Sequence, residues 1–398
     1  MVLPRPFAQI PRVSLLYPHA SPIHALENLS ALLSPSRKVA VYAKREDHSS
    51  PLACAGNKYR KLEYIVPDIL DPSSDTTGPP GNAENSITGG PTAPGKVTTV
   101  VTEGAVQSNH TVQVHAVANK LGLEYVGVTN RMTGQGYEEA SNKDVFVNVG
   151  NPQMSRLLQP SPQDENTNDY TDPGKVLHDL HDHHHKVPYW IPSGASLHPL
   201  GGLGYARCAF EIASQEAHLP RAPSQQPVTQ PSRFDYIFVA CGSGSTVAGL
   251  IAGFKLLDKH LATSTSPFTP RKIIGVLNSP TKPRAYHEER VLRFARNTGR
   301  LIGLDDPEAE ITMADVHLDD RFVGTAYGSV DEETKRHLRL MAEVESLVVD
   351  PVYTAKVAWG LASCVRNEEL VGDGNGHVNA LFVHTGGQAA LPAYSDRI

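Results

Sequence analysis

Residues 96–129 read KVTTVVTEGAVQSNHTVQVHAVANKLGLEYVGVT, and the order of the signals in them decides the fold. KVTTVVT (96–102) is a short β-branched run closed by Glu103 and Gly104, which predicts a buried strand followed by a turn. Past Ser108, the residues Val112, Val114, Ala116, Val117, Ala118 and Leu121 give a mainly apolar helix, and Gly122 supplies its stop. EYVGVT (124–129) then returns as a strand. A strand–helix–strand unit of this kind crosses over right-handed and lays its strands side by side in parallel. FDYIFVACGSGSTVAGLIAGFKLL (234–257), running into KIIGVLNS (272–279), repeats the pattern, and NALFVHTGG (379–387) adds a further apolar strand. The expected fold class is α/β, with mostly parallel open sheets flanked by helices.

The chain's 398 residues are enough for two such units with separate cores. A hydrophobic share of 40% against 20% charged residues fits a globular protein rather than a disordered or membrane one. A net charge of −6, with no basic stripe, argues against nucleic acid as a partner. Cys54, Cys208, Cys241 and Cys364 lie far apart with no CxxC pair, so free thiols in a reducing compartment are expected. The first thirty residues are broken by prolines and hold no unbroken apolar core, and no stretch is long and apolar enough to span a bilayer. The expected location is therefore the cytoplasm, with no membrane partner. Residues 71–96, 159–175 and 219–233 are rich in Pro, Gly and small polar residues and read as surface excursions. HDHHHK (181–186) places its histidines in sequence rather than on one helical face, so a solvated loop is expected there and no metal.

Three stretches carry candidate chemistry. CGSGSTVAGL (241–250) joins a strand to an apolar helix through a glycine- and hydroxyl-rich turn. Free backbone N–H groups there suit a phosphate, although such turns also serve tight packing. It is neither a P-loop nor a dinucleotide fingerprint, and GSGS (242–245) falls one residue short of a hydrolase elbow. In EGAVQSNHT (103–111), Ser108 and Asn109 form either a plain N-cap pair or, with His110, a holder for a substrate carboxylate or a cofactor. The second role arises because turns after parallel strands converge on a ligand crevice. In ACAGNKYRKLEY (53–64), Lys58 stands at a loop-to-helix junction, as a solvated charge or as an amine held for chemistry.

Taken together, the chain resembles the pyridoxal-phosphate enzymes related to the tryptophan synthase β subunit. Within them it resembles the group of 1-aminocyclopropane-1-carboxylate (ACC) deaminases and D-cysteine desulfhydrases. The blocks that carry the resemblance are KREDHSSPLACAGNKYRKLEY (44–64), EGAVQSNHTVQVHAVA (103–118), SGASLHPLGGLGYA (193–206), CGSGSTVAGL (241–250), AYGSVDEET (326–334), VDPVYTAKVAWGL (349–361) and FVHTGG (382–387). The resemblance implies pyridoxal 5'-phosphate as cofactor, with Lys58 joined covalently to its aldehyde. It implies Asn109 as partner of the ring oxygen, and Gly242, Ser243, Gly244, Ser245 and Thr246 around the phosphate. Thr354 and Thr385 are implied beside the pyridine ring. Ser108, Asn109, His110, Tyr327 and Tyr353 would surround a small amino-acid substrate, with Lys58, Ser108 and the two tyrosines as the catalytic groups. It further implies a homodimer and two domains, a large one of residues 1–63 and 187–398 and a smaller one of residues 64–186.

The blocks also bear on the reaction. ACC deaminases carry Glu where this chain has Thr354, Leu where it has Thr385, and usually Gln where it has His110; all three residues here are of the desulfhydrase type. A carboxylate at the pyridine nitrogen keeps the ring protonated and strongly electron-withdrawing, whereas a threonine hydroxyl only shares a hydrogen bond. Expelling thiolate needs less delocalisation than opening a cyclopropane. The expected reaction is therefore α,β-elimination giving pyruvate, sulfide and ammonia, with ACC deamination to 2-oxobutanoate and ammonia, or a related elimination or replacement on another amino acid, as the alternative. KREDHSSPLA and GASLHPLGGLGYA read closer to the deaminases, and Ala55 replaces a glycine usual in both groups.

Overall fold

The structure is a computed structural model that describes residues 2–36, 38–72, 89–92, 94–129, 135–159, 172–219, 233–261, 270–372 and 376–398. Most of the three expected excursions lies outside the described residues.

Among the described residues, ten strands form two sheets: β1 (Ile23–Ala25), β2 (Val39–Arg45), β3 (Gly90–Pro91), β4 (Thr99–Gly104), β5 (Glu124–Thr129), β6 (Pro188–Ile191), β7 (Tyr236–Cys241), β8 (Lys272–Leu277), β9 (His317–Asp319) and β10 (Val378–His384). The larger sheet has the order β1-β2-β10-β7-β8-β9 and is parallel except for β1. The smaller has the order β3-β6-β4-β5 and is parallel except for β3. Both follow the expected α/β class. The last strand read from the sequence, β10, sits inside the larger sheet, with Phe382 paired to Ala43 on one side and to Phe238 on the other.

Helices cover both faces of the larger sheet, so its central strands are apolar on both sides. Along β7, Ile237, Val239 and Cys241 join one core, under the helices Leu203–Glu216, Ser245–Leu261 and Arg284–Ile302. Tyr236 and Phe238 point the other way, into the core under the helix Thr354–Arg366. The helices Leu203–Glu216 and Ser245–Leu261 approach backbone to backbone. A Cβ on Gly249 would stand 2.3 Å from the Gly202 carbonyl oxygen, and one on Gly253 2.4 Å from that of Ala206.

In the smaller sheet the quoted unit forms as read, with one shift. The strand begins at Thr99 and runs through Glu103–Gly104, the residues expected to start the turn, before the helix Asn109–Leu121 and β5. Ser108 is the helix's N-cap, its Oγ accepting the Thr111 N–H at 3.3 Å, and Gly122 closes it at φ +69°. The division expected at residue 186 stops short of a strand: β6 (Pro188–Ile191) pairs with β4 in the smaller sheet. Composition hides β6, because its four buried residues follow directly on the polar histidine run. That run lies at the end of the helix Pro173–Asp182 and in the turn after it, with His178 and His181 each 2.5 Å from the Asp182 carboxylate.

Candidate active site

The C-terminal ends of β4, β7 and β10 open onto one cavity of about 410 Å³. This is where a parallel sheet presents its loops to a ligand. Lys58, Ser108, Asn109 and His110 line it, as do Gly242, Ser243, Gly244 and Thr246 of the glycine turn. Tyr327, Tyr353 and Thr385 complete the expected set that reaches it. Ser245 and Thr354 do not.

Lys58 is the first residue of the helix Lys58–Leu70, and its position is fixed from two sides. Its backbone N–H donates to Gln113 Oε1 at 3.1 Å, and the Asn57 N–H donates to the Thr385 carbonyl at 3.2 Å. Gly56 bridges Gly386 in antiparallel fashion, and a Cβ on Gly56 would lie 2.8 Å from that same Thr385 oxygen. Ala55 stands one residue outside this contact and does not line the cavity. Burial draws the Lys58 amine down from 10.5 to about 8, with no carboxylate contributing. A fraction of it is therefore neutral near physiological pH and able to attack a carbonyl carbon.

The glycine turn forms a cup at the start of the helix Ser245–Leu261. Gly244 sits at φ +102°, which a side chain would strain. Gly194, at φ +66°, leaves the space that Ser243 occupies, since a Cβ there would meet Ser243 Oγ at 2.3 Å. Ser196 Oγ donates to Ser243 Oγ at 2.6 Å and lies 2.8 Å from Ser245 Oγ, so the Ser245 hydroxyl is spent inside the wall. Asn57 Nδ2 reaches Thr246 Oγ1 at 3.2 Å and ties the cup to the Lys58 loop. An amine at one end and a cradle of N–H groups and hydroxyls at the other fit a phosphorylated aldehyde, and Lys58, Gly242, Ser243, Gly244 and Thr246 are the residues that would hold it.

Asn109 Oδ1 accepts from Asn151 Nδ2 at 2.8 Å, which leaves the Asn109 amide nitrogen as the donor. His110 is buried, with Nε2 2.9 Å from Thr102 Oγ1; burial and then the charges of Lys58 and Lys61 hold its pKa well below 6.5, so the ring is neutral. Tyr327 and Tyr353 share a short hydrogen bond between their hydroxyls. Burial pushes both phenols up; the Tyr353 bond lowers Tyr327, while Tyr327 raises Tyr353 further. Either hydroxyl can donate in the pair.

Thr354 departs from its expected place beside a pyridine ring. Its Oγ1 donates to Asp350 Oδ1 at 2.7 Å and accepts the Asp350 N–H at 2.7 Å. The buried Asp350 carboxylate also accepts the N–H groups of Val352, Tyr353 and Thr354 at 2.8–2.9 Å. Four donors around one carboxylate organise the start of the helix Thr354–Arg366, and Thr354 is part of that cap.

Sequence reasoning passed over several residues here. Lys61, one turn beyond Lys58, is 1% exposed and donates from Nζ to the Gly194 carbonyl at 2.9 Å, beside the cup. Its amine is pushed well below 10.5, by burial first and the Lys58 charge second. Glu103 at the end of β4 also lines the cavity, as do His287 and Arg290 of the helix Arg284–Ile302. A spacing of three on a helix ties Lys61 to Lys58; nothing in the sequence marks the others. Among the described residues, no group of three or more His, Cys, Asp and Glu side chains is arranged to hold a metal, and no helix is long and apolar enough to cross a membrane.

Known proteins bear out this reading of the site's family. The family described as "Pyridoxal-phosphate dependent enzyme" matches residues 16–386. A Burkholderia lata protein named 1-aminocyclopropane-1-carboxylate deaminase is 35% identical over 98% of this chain and 97% of its own. A Schizosaccharomyces pombe protein named probable 1-aminocyclopropane-1-carboxylate deaminase is 34% identical over 94% of each. A solved structure titled as an ACC deaminase homologue superposes with a TM-score of 0.70 at 27% identity, covering 98% of this chain and 96% of that one. An O-ureido-L-serine synthase shares the fold at a TM-score of 0.52 and 11% identity, covering 100% of this chain and 97% of that one. With the amine, the cup and full-length relatives in agreement, the chain belongs to the pyridoxal-phosphate dependent enzymes, as a lyase or deaminase that uses pyridoxal 5'-phosphate.

Proposed function

We propose that this enzyme carries out α,β-elimination on a small amino acid in the manner of a D-cysteine desulfhydrase, releasing pyruvate, sulfide and ammonia. The observation that carries the reading is that the residue lining the cavity at 385 is a threonine, not the leucine expected of a deaminase. Thr354 is engaged by Asp350, so Thr385 and the absence of Glu at 354 weigh against a carboxylate at the ring. Glu103 is the one carboxylate among the described lining residues, and it comes from the smaller sheet.

When bound, the cofactor ring withdraws the electron pair left on the substrate's α-carbon. The chain's own groups do the rest. Lys58, partly neutral, takes the α-proton and carries it away from the α-carbon. Ser108 Oγ and the Asn109 amide offer donors to the substrate carboxylate, and the neutral His110 adds no charge beside them. The Tyr353–Tyr327 pair holds a proton at the cavity wall for the departing thiolate. Burial of these groups excludes water and strengthens each interaction. We also assign to this reading a homodimer, a cytoplasmic location and a two-domain division whose smaller part extends through β6.

A second reading, ACC deamination, is favoured by the names of the full-length relatives at 34–35% identity. Measuring keto acid from D-cysteine, L-cysteine and ACC side by side separates the two. Pyruvate with sulfide from cysteine is the expected result; turnover of ACC with none of either cysteine overturns it.

A further inference from the structure

The part of the cavity wall formed by the helix Arg284–Ile302 is not accounted for by cofactor binding or elimination. Arg290 lines the cavity there, and among the described residues its contacts are polar or aromatic, with no carboxylate. Its Nη2 donates to the Gly242 carbonyl at 2.8 Å and to His287 Nδ1 at 3.0 Å, and its guanidinium lies 5.4 Å from the Tyr286 ring centre. A guanidinium only donates, so Nδ1 of His287 is an acceptor and the ring proton sits on Nε2. His287 is 3% exposed and lines the cavity. Its Nε2 is turned to the Lys282 backbone, which raises the ring's pKa against the burial that lowers it, while Arg290 Nε is buried and unpartnered. A cavity-lining guanidinium with an unspent Nε donor and no counter-charge is costly unless an anion arrives.

The cofactor's phosphate is the wrong anion for this wall. The Gly242–Ser243 peptide is trans, so the carbonyl that Arg290 holds and the Ser243 N–H point in opposite directions. A phosphate held by that N–H lies across the peptide from Arg290. The cup has, besides, its own buried amine close by in Lys61.

We infer that Arg290 and His287 form an anion site for the substrate, and that the preferred substrate is an amino acid bearing a second anionic group on its side chain. This deepens the elimination reading and rests on it.

Two probes differ only in that charge: S-carboxymethylcysteine and its neutral amide, S-carbamoylmethylcysteine, each as both enantiomers. Elimination breaks the α-C–H and β-C–S bonds. The sulfur leaves with its electron pair and takes up a proton, and one water then yields pyruvate and ammonia. The native enzyme should favour the carboxylate over the amide by about tenfold or more in kcat/KM, the worth of one charge-assisted hydrogen bond. Arg290→Ala should bring the ratio close to one and Arg290→Lys should restore part of it, with cofactor affinity unchanged in both. Binding of the two probes to cofactor-loaded Lys58→Ala protein, read by the cofactor's absorbance, should show the same ratio without turnover. A binding ratio near one in otherwise native surroundings, or a ratio that survives Arg290→Ala, overturns the inference. Weakened cofactor affinity in Arg290→Ala with the ratio intact also overturns it and assigns the guanidinium to the phosphate. If the charged probe binds preferentially but neither probe nor D-cysteine yields keto acid, the anion site stands and the elimination reading falls.

Discussion

One helix, Lys58–Leu70, carries two kinds of buried cation, and the contrast between them separates chemistry from framework. Arg60 and Lys44, which reaches in from β2, sit among carboxylates. Arg60 bonds Glu46 and, at 2.7 Å, Glu211, and Lys44 Nζ lies 2.5 Å from Glu211. Burial works against these charges. Even so, Glu211 is held well below the usual carboxylate range by Arg60 and Lys44, and Arg60 well above its ordinary value by Cys208, Glu211 and Glu46. Lys58 and Lys61 have no such partners, and burial alone dominates, drawing both amines down. Arg60 stays charged, and its ion pairs lock the helix in place. The unpaired ones lose protons and gain nucleophilicity. Between those two, access decides: Lys58 lines the cavity, while Lys61 is spent on the Gly194 carbonyl.

The largest effect that tests this contrast is on turnover. Lys58→Ala should cut keto-acid release by about 10³-fold, in the range a positioned proton carrier supplies, while leaving thermal unfolding no earlier than in the native protein. Loss of stability without loss of rate would erase the distinction. Arg60→Met should do the opposite, lowering unfolding free energy by about 3–5 kcal/mol in denaturant titrations, because it strands Glu46 in the interior and leaves Glu211 with Lys44 alone. The smallest effect is a pH dependence of the cofactor-free protein. The folded Lys58 amine titrates near 8 and the ordinary lysine at 10.5, so between these values the unfolded chain holds the extra proton. Stability therefore rises with pH across that window, and the penalty is fully present below 8. Lys58→Met should flatten part of the rise in unfolding midpoint from pH 8 to 10.5; an unchanged slope would place the amine in water.

The framework was largely legible from residues 96–129 and 234–279, because β-branched runs, an apolar helix and a glycine stop all agree locally. The cup and the Ser108 cap were legible for the same reason. Three features were not. β6 is four residues long and follows a polar run, so its period is too short to read. Thr354 looked free because nothing in VDPVYTAK says that the Asp350 carboxylate turns back to take its hydroxyl. The burial of Lys61, Arg60 and Glu63, each about 1% exposed, has no local signal, since their partners come from segments far away in sequence. Local pattern reports backbone preference; long-range charge pairing leaves no local mark.

Borohydride reduction of the cofactor-loaded enzyme, followed by peptide mapping, tests the role of position 58 most directly. The expected result is a single pyridoxyl group on the Lys58 side chain. A group on Lys61, or none on either lysine, contradicts it.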